Sequence, residues 1–184
     1  MLQDKQREKL LNVMAFFIQS TRFCGKTKLF KLIYFLDFEH YSATGRSVSG
    51  MDYYAWPMGP VPVELNDQIE NNDPNLCDAV EVSHKSLSDG KTMVVFTPNI
   101  EFDSKLFTRR ELGLMESLAI EFNAAKADDM VEATHLENLP WHQVYEVEGR
   151  RQQLIPYDLA FKKDDEQAGS LTAREHREFT ENYK

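Results

Sequence analysis

The stretch that decides the fold lies at residues 29–38 and reads LFKLIYFLDF. Its apolar residues occupy every side of a helix, and only Lys31 and Asp37 interrupt them. A helix that is apolar nearly all round is surrounded by other elements of the protein. The sequence therefore predicts a buried central helix over residues 26–41.

The sequence after this helix predicts a turn-rich segment and then more helices. Gly45 ends the central helix, and the prolines between residues 57 and 62 allow only a short strand and a rigid turn there. Thr108 and Glu111 have the spacing of a capping box, which starts a helix. Further helices are predicted over residues 4–19, from about Pro62 to a stop at residues 71–74, from Thr108 to about Asn123, and over 129–135 with Asp128 as its cap. A last compact turn or helix is predicted from Pro140 to Glu148.

A β-hairpin and a polar tail complete the predicted organisation. Residues 79–83 and 92–97 flank a turn sequence, Ser88-Asp89-Gly90-Lys91, which favours a hairpin. We therefore expect a single, predominantly helical α+β domain at residues 1–162, with a buried central helix and a small antiparallel hairpin. Residues 163–184 are polar and are expected to form an exposed C-terminal tail.

The charge of the chain favours some partners over others. Acidic residues outnumber Lys plus Arg by 30 to 21, for a net charge of -9. This excess repels a phosphate backbone, so nucleic acid is not an expected partner and a basic protein is the easier match. Lys26, Lys28 and Lys31 follow a break between two helices and could form a DNA-reading face. We favour lysines at the exposed start of a buried helix, because an apolar helix cannot also lie in a groove.

The termini and cysteines predict a cytoplasmic protein without a membrane span. Cys24 and Cys77 lack the spacing of a metal or redox motif and are expected to be reduced. The first nine residues are charged where a signal peptide needs an apolar run. The apolar stretch of the central helix is far shorter than the ~20 residues of a membrane span.

Candidate catalytic and metal-ligating residues fall in two places. Asp37, Glu39 and His40 lie close together on the central helix, but Asp37 and Glu39 point to different helix faces. His135 and His142, with Glu137 near them, lack the i,i+4 pairing of helical zinc sites. We therefore expect no catalytic site, no metal and no cofactor.

Three stretches in order resemble the Panacea, or SocA-like, antitoxin domain family. Residues 28–37, KLFKLIYFLD, are similar to the family's K-L-x-K-L-x-Y-F helix, and residues 54–61, YAWPMGPV, to its A-W-x-x-G-P-V turn. Thr134-His135 followed by Pro140-Trp141 is similar to its T-H…P-W ending. The resemblance covers about residues 5–148. The residues that carry it are Lys31, Tyr34, Asp37, Trp56, Gly59, Pro60, His135, Pro140 and Trp141.

The chemistry of these signature residues predicts scaffold roles. Lys31 and Asp37 are expected to pair or to hydrogen-bond, because a bare charge in an apolar helix is costly. Gly59 and Pro60 fix a backbone geometry that few other residues allow.

The aromatic signature residues are expected to hold the late helix. Trp56 and Trp141 offer large surfaces and N–H groups that need partners, which suits pinning the turn and the late helix to the core. His135 is expected to bond the backbone near the turn.

The resemblance implies a type II antitoxin that neutralises a co-encoded protein toxin by direct binding. Family members are paired with unrelated toxins, so the toxin stays open. Some members look like adaptors that deliver the toxin to a AAA+ protease. An enzyme using Asp37, His40 or His135 and a DNA-binding regulator are the alternatives. In the tail, Leu171 and Phe179 are possible partner-binding anchors.

Overall fold

A computed structural model describes residues 2–86, 90, 92–136 and 139–161 of the chain. Its helices are α1 (Leu2–Ser20), α2 (Lys26–Thr44), α3 (Val63–Glu70), α4 (Pro74–Cys77), α5 (Arg109–Glu121), α6 (Ala127–Thr134) and α7 (Pro140–His142). Its strands are β1 (Tyr54–Trp56), β2 (Gly59–Val61), β3 (Val80–Ser86) and β4 (Thr92–Pro98). The described part is a predominantly helical α+β structure, which confirms the predicted fold class. Within these ranges no helix combines the length and apolar content needed to cross a membrane.

Helix α2 is the predicted central helix. It contacts α1, α5, α6 and strand β2, and most of its side chains are buried. Burial on all sides follows from its apolar sequence, since each side packs against a different element. The helix ends at Gly45, which adopts φ of 68° and donates its N–H to the Tyr41 carbonyl at 2.8 Å. A residue in the left-handed region is a common helix terminator, and glycine adopts it without steric cost.

Two short antiparallel hairpins replace the one that the sequence predicted. Strands β3 and β4 pair from Val80–Pro98 to Ser86–Thr92, which confirms the predicted hairpin. Strands β1 and β2 pair Tyr54 with Val61 and Trp56 with Gly59, so the stretch predicted as a turn is itself a hairpin. Proline at position 60 hid this second strand, because proline cannot donate a ladder hydrogen bond.

The helix starts agree with the capping prediction in one case and correct it in the other. At α5, the Thr108 N–H donates to Glu111 Oε2 at 2.7 Å, and the Glu111 N–H donates to Thr108 Oγ1 at 3.3 Å, as predicted. At α6, Asp128 is not the cap. The helix starts two residues earlier, with Lys126 as its cap, because the Asp129 carboxylate reaches back to the N–H of Lys126 at 2.7 Å.

The chain returns to the core after α7. A π-helical turn spans Gln143–Val147, and a 3-10 turn spans Tyr157–Ala160. The Tyr157 ring stacks on Phe38 with a centroid distance of 4.5 Å. The Tyr157 hydroxyl donates a hydrogen bond to the Met51 carbonyl at 2.6 Å. The packed structure therefore continues to Phe161. The tail prediction for residues 163–184, including Leu171 and Phe179, lies outside the described residues.

Candidate functional site

Asp37 is a buried hub that joins α2 to the segment after it. Its Oδ1 accepts the N–H groups of Val48 at 2.8 Å and Ser49 at 2.7 Å. Its Oδ2 accepts the hydroxyls of Ser49 and of Tyr53, the latter at 2.7 Å, and the Tyr157 hydroxyl, whose proton goes to the Met51 carbonyl, lies 3.3 Å away. Burial raises the pKa of this carboxyl, and the hydrogen bonds oppose that rise. Four donors on one carboxylate are a structural arrangement, since they occupy its lone-pair positions and leave none for a reaction.

Lys31 and Asp37 were expected to pair or to hydrogen-bond, and the second alternative is confirmed, because each hydrogen-bonds to a different part of the chain. The Lys31 Nζ donates to the Pro60 carbonyl at 2.9 Å and ties α2 to β2. Burial lowers the pKa of Lys31 to about 7. The reason for the missing pair is geometric, because residues 31 and 37 point to different sides of the helix and meet different elements.

Gly59 makes room for this lysine. Its φ of 97° is one that other residues rarely adopt, and a Cβ there would lie 2.7 Å from both Lys31 Nζ and Thr134 Oγ1. The turn of the hairpin therefore touches α2 and the end of α6 at the same point. Pro60 is buried next to Gly59 in β2, and Pro140 is buried at the first position of α7.

Trp141 fastens the late helix to β1. Its Nε1 donates to the Trp56 carbonyl at 2.9 Å, as expected for a buried indole. The His135 ring stacks on the indole with a centroid distance of 3.7 Å and an interplanar angle of 2°. The predicted backbone bond of His135 is wrong, because stacking orients the ring so that its buried Nε2 meets no hydrogen-bond partner among the described residues. Trp56 itself is only partly buried.

Tyr34 adds a second unpartnered polar atom to this region. Its hydroxyl is buried and finds no hydrogen-bond partner in the described ranges; the backbone amide of Trp141 faces it outside normal hydrogen-bond geometry. Burial raises the pKa of the phenol well above its usual value. We name the cluster of Lys31, Gly59, Thr134, His135 and Trp141 around the β1–β2 hairpin the hairpin junction.

The lysines at the start of α2 are not an exposed row. Lys28 is 1% exposed, and the three N–H groups of its ammonium are shared among four carbonyls, those of Arg22 at 2.8 Å, Phe122 at 2.6 Å, Asn123 at 3.0 Å and Ala125 at 2.9 Å. The expectation of an exposed start was therefore wrong for Lys28 and for the buried Lys31. Lys26 pairs with Glu70 on α3.

Sequence reasoning missed the role of Lys28 because its acceptors come from two turns far apart in the chain. One turn joins α1 to α2, and the other joins α5 to α6. The carbonyls at the end of a helix lack intrahelical partners, and a lysine suits them. No local signal in the sequence shows that these two turns meet.

The candidate acid–base residues on α2 do not converge. Asp37 turns inward to the hub, whereas Glu39 and His40 line an open groove of about 540 Å³ between α2 and α5. The Nδ1 of His40 lies 2.7 Å from the Arg46 carbonyl. In the described part of the chain, no three His, Cys, Asp or Glu side chains group closely enough to hold a metal ion. Glu137 of the second candidate set lies outside the described residues.

The fold and the junction define a mostly helical domain in which the polar residues at its centre build the framework. The chain belongs to the antitoxin SocA-like, Panacea domain family, whose family profile matches residues 29–142. This match covers more than half of the chain and includes all nine signature residues, which confirms the resemblance. Neither the curated proteins nor the solved structures gave a match.

Proposed function

We propose that this protein is an antitoxin that neutralises a co-encoded protein toxin by binding it directly. The observation that carries the proposal is membership of the SocA-like antitoxin family over residues 29–142. An antitoxin acts on a partner through its surface, and a folded domain with a stable framework is sufficient for that task.

The placement of the polar residues supports a binding role over a catalytic one. Asp37 is saturated by four donors, and His135 is stacked flat on an indole. A general acid or base needs a reacting group within hydrogen-bond reach, and neither side chain offers one at the surface. We therefore propose that the protein has no enzymatic activity and needs no cofactor.

Charge supports a protein partner over nucleic acid. The net charge of -9 opposes binding to a phosphate backbone. Lys28 and Lys31, two of the three lysines that a DNA-reading face would use, are buried in internal hydrogen bonds. A basic toxin surface is the better electrostatic match.

The test is co-expression with the product of the adjoining gene. We expect that product to stop growth when expressed alone, growth to recover when this chain is expressed with it, and the two proteins to copurify. A toxic neighbour that this chain neither binds nor restrains would contradict the proposal. Folded His40→Gln and His135→Phe variants should still protect, since neither ring takes part in a reaction.

Delivery of the toxin to a AAA+ protease differs from simple occlusion in one readout. Occlusion leaves the amount of toxin unchanged, whereas delivery shortens its half-life. Measuring toxin half-life with the full chain and with a chain ending at residue 162 separates the two modes, and tests the predicted role of the tail and its anchors Leu171 and Phe179.

A further inference from the structure

Large apolar side chains stand exposed on the outside of the hairpin junction. Met58, at the turn between β1 and β2, is 58% exposed, and Leu136, just after α6, is 61% exposed. Trp56, two residues before Met58, is partly exposed. We call these three residues the junction face. Exposed apolar residues that cluster, rather than lie scattered, mark sites of interaction.

The contacts of the junction place the segments that carry these three residues side by side. Gly59, next to Met58, lies against Thr134, because a Cβ built on Gly59 would be 2.7 Å from Thr134 Oγ1. The chain reaches Leu136 two residues after Thr134. The Trp56 carbonyl accepts the Trp141 indole, and that indole stacks on His135, the neighbour of Leu136.

The backbone under the junction face is fixed from within. The Lys31 ammonium holds the Pro60 carbonyl, and the Trp141 indole holds the Trp56 carbonyl. Both donors are buried. A surface that is already ordered loses little conformational entropy when it binds, so its apolar contacts contribute more to affinity.

Carboxylates accompany this face and indicate the charge of its partner. Residues 126–151 carry six Asp or Glu against one Lys and two Arg, of which Arg150 pairs with Glu148, so the segment remains acidic. Asp128 and Glu132 are exposed and lie four residues apart on one side of α6, and the exposed Leu136 follows at the same spacing. Glu146 is exposed on the π-helical turn that contacts β1. Two copies of this acidic chain would repel each other here, so the charge favours a basic partner over self-association.

We propose that the junction face is the surface that docks the toxin, and that the toxin presents an apolar side chain flanked by lysine or arginine. This inference rests on the proposed function and adds the place and chemistry of the contact. The apolar part supplies affinity at the centre of an interface, and the carboxylates supply orientation and speed of association.

The experiment measures binding of purified full chain to the product of the adjoining gene. The double variant Met58→Ser/Leu136→Ser should weaken binding by about tenfold or more, as loss of a central anchor does. Ile120→Ser is the matched control, because Ile120 is 78% exposed on α5 and is not part of the face. It should change the dissociation constant by less than about twofold.

A second arm tests the charge. Glu132→Gln should slow association by a few fold at low salt, and the difference from wild type should shrink as salt is raised. Hydrogen exchange on the wild type, with and without the partner, needs no variant and should show new protection at residues 54–61 and 130–136. If the double variant fails to fold, the protection measured on the wild type decides whether the junction face is the docking surface.

The outcomes separate this inference from the function beneath it. A wild-type chain that does not bind the toxic neighbour overturns the proposed function. A wild type that binds, with a folded double variant that binds equally well and no protection at these residues, overturns only the docking surface. A chain that forms dimers through the face, and loses them in the double variant while still binding the neighbour, also overturns it.

Discussion

Two buried lysines one turn apart on α2 are accommodated in opposite ways. Lys28 gives its ammonium to four carbonyls from two turns, whereas Lys31 makes a single hydrogen bond among the described residues. Both are 1% exposed. Beside Lys31, the hydroxyl of Tyr34 and the Nε2 of His135 also find no partner in the described ranges. The contacts of Lys28 with its carbonyls, which we call the clamp, satisfy the buried ammonium. The region around Lys31 keeps buried polar atoms that have no hydrogen-bond partner among the described residues.

The difference teaches that burial alone does not say what a charged residue contributes. A fully hydrogen-bonded ammonium holds elements together, and its removal leaves several acceptors bare. A buried ammonium with a single hydrogen bond carries the free-energy cost of leaving water, and that one bond does not offset the cost. Burial lowers the pKa of both lysines, and for Lys31 to about 7.

The largest effect is expected from Lys28→Met. It removes the ammonium from four carbonyls, and those of Arg22 and Ala125 then lose their donor, whereas those of Phe122 and Asn123 keep a backbone N–H. The variant should lower the free energy of unfolding by about 4 kcal/mol or more. Lys26→Met on the same helix is the control, because the exposed pair with Glu70 contributes at most about 1 kcal/mol. Urea unfolding followed by circular dichroism measures both. Equal losses of unfolding free energy in the two variants would mean that the clamp adds no more stability than an exposed ion pair.

The next effect comes from replacing each of two glycines with alanine, which should change the free energy of unfolding in opposite directions. Gly59→Ala should cost about 3 kcal/mol, because its Cβ meets Lys31 and Thr134 at 2.7 Å in a backbone conformation that alanine resists. Gly113→Ala in α5 meets nothing within 4 Å and should stabilise the helix by up to about 1 kcal/mol. Melting temperatures that move in the same direction would contradict this account of the junction.

The smallest effect is a dependence of the free energy of unfolding on pH, which arises from Lys31. Its pKa is about 7 in the folded chain, whereas the ordinary pKa of a lysine is 10.5, so the unfolded chain binds more protons between those two values. Stability from this residue therefore rises with pH across that window, by about 2 kcal/mol between pH 7 and 9. Lys31→Met removes the dependence while keeping other titrating groups. A wild type and variant whose difference stays flat with pH would show that Lys31 remains charged.

Sequence reasoning found the features that local patterns encode. The apolar run of α2, the stop at Gly45 and the Thr108–Glu111 capping box are all present. Each depends on residues close together in the chain, so the physical rule that predicts it acts within one element.

The missed features depend on contacts between distant segments. The four acceptors of Lys28 and the stacking of His135 on Trp141 are examples. Strand β2 was missed for a local reason, since Pro60 is a poor strand residue and is accepted here because it lies buried against Lys31. The signature predicted the scaffold, whereas Met58 and Leu136 of the junction face had no sequence signal.

The central claim is that the protein acts by occupying its partner, one molecule for one. The most direct measurement expresses this chain and the toxic neighbour from two independent inducible promoters, and quantifies both proteins at the point where growth recovers. We expect recovery at about equal amounts of the two proteins, with the threshold rising in proportion to the toxin. Protection by an amount of this chain many times smaller than the toxin would contradict occupancy, and the toxin half-life would then distinguish delivery to a protease from catalysis.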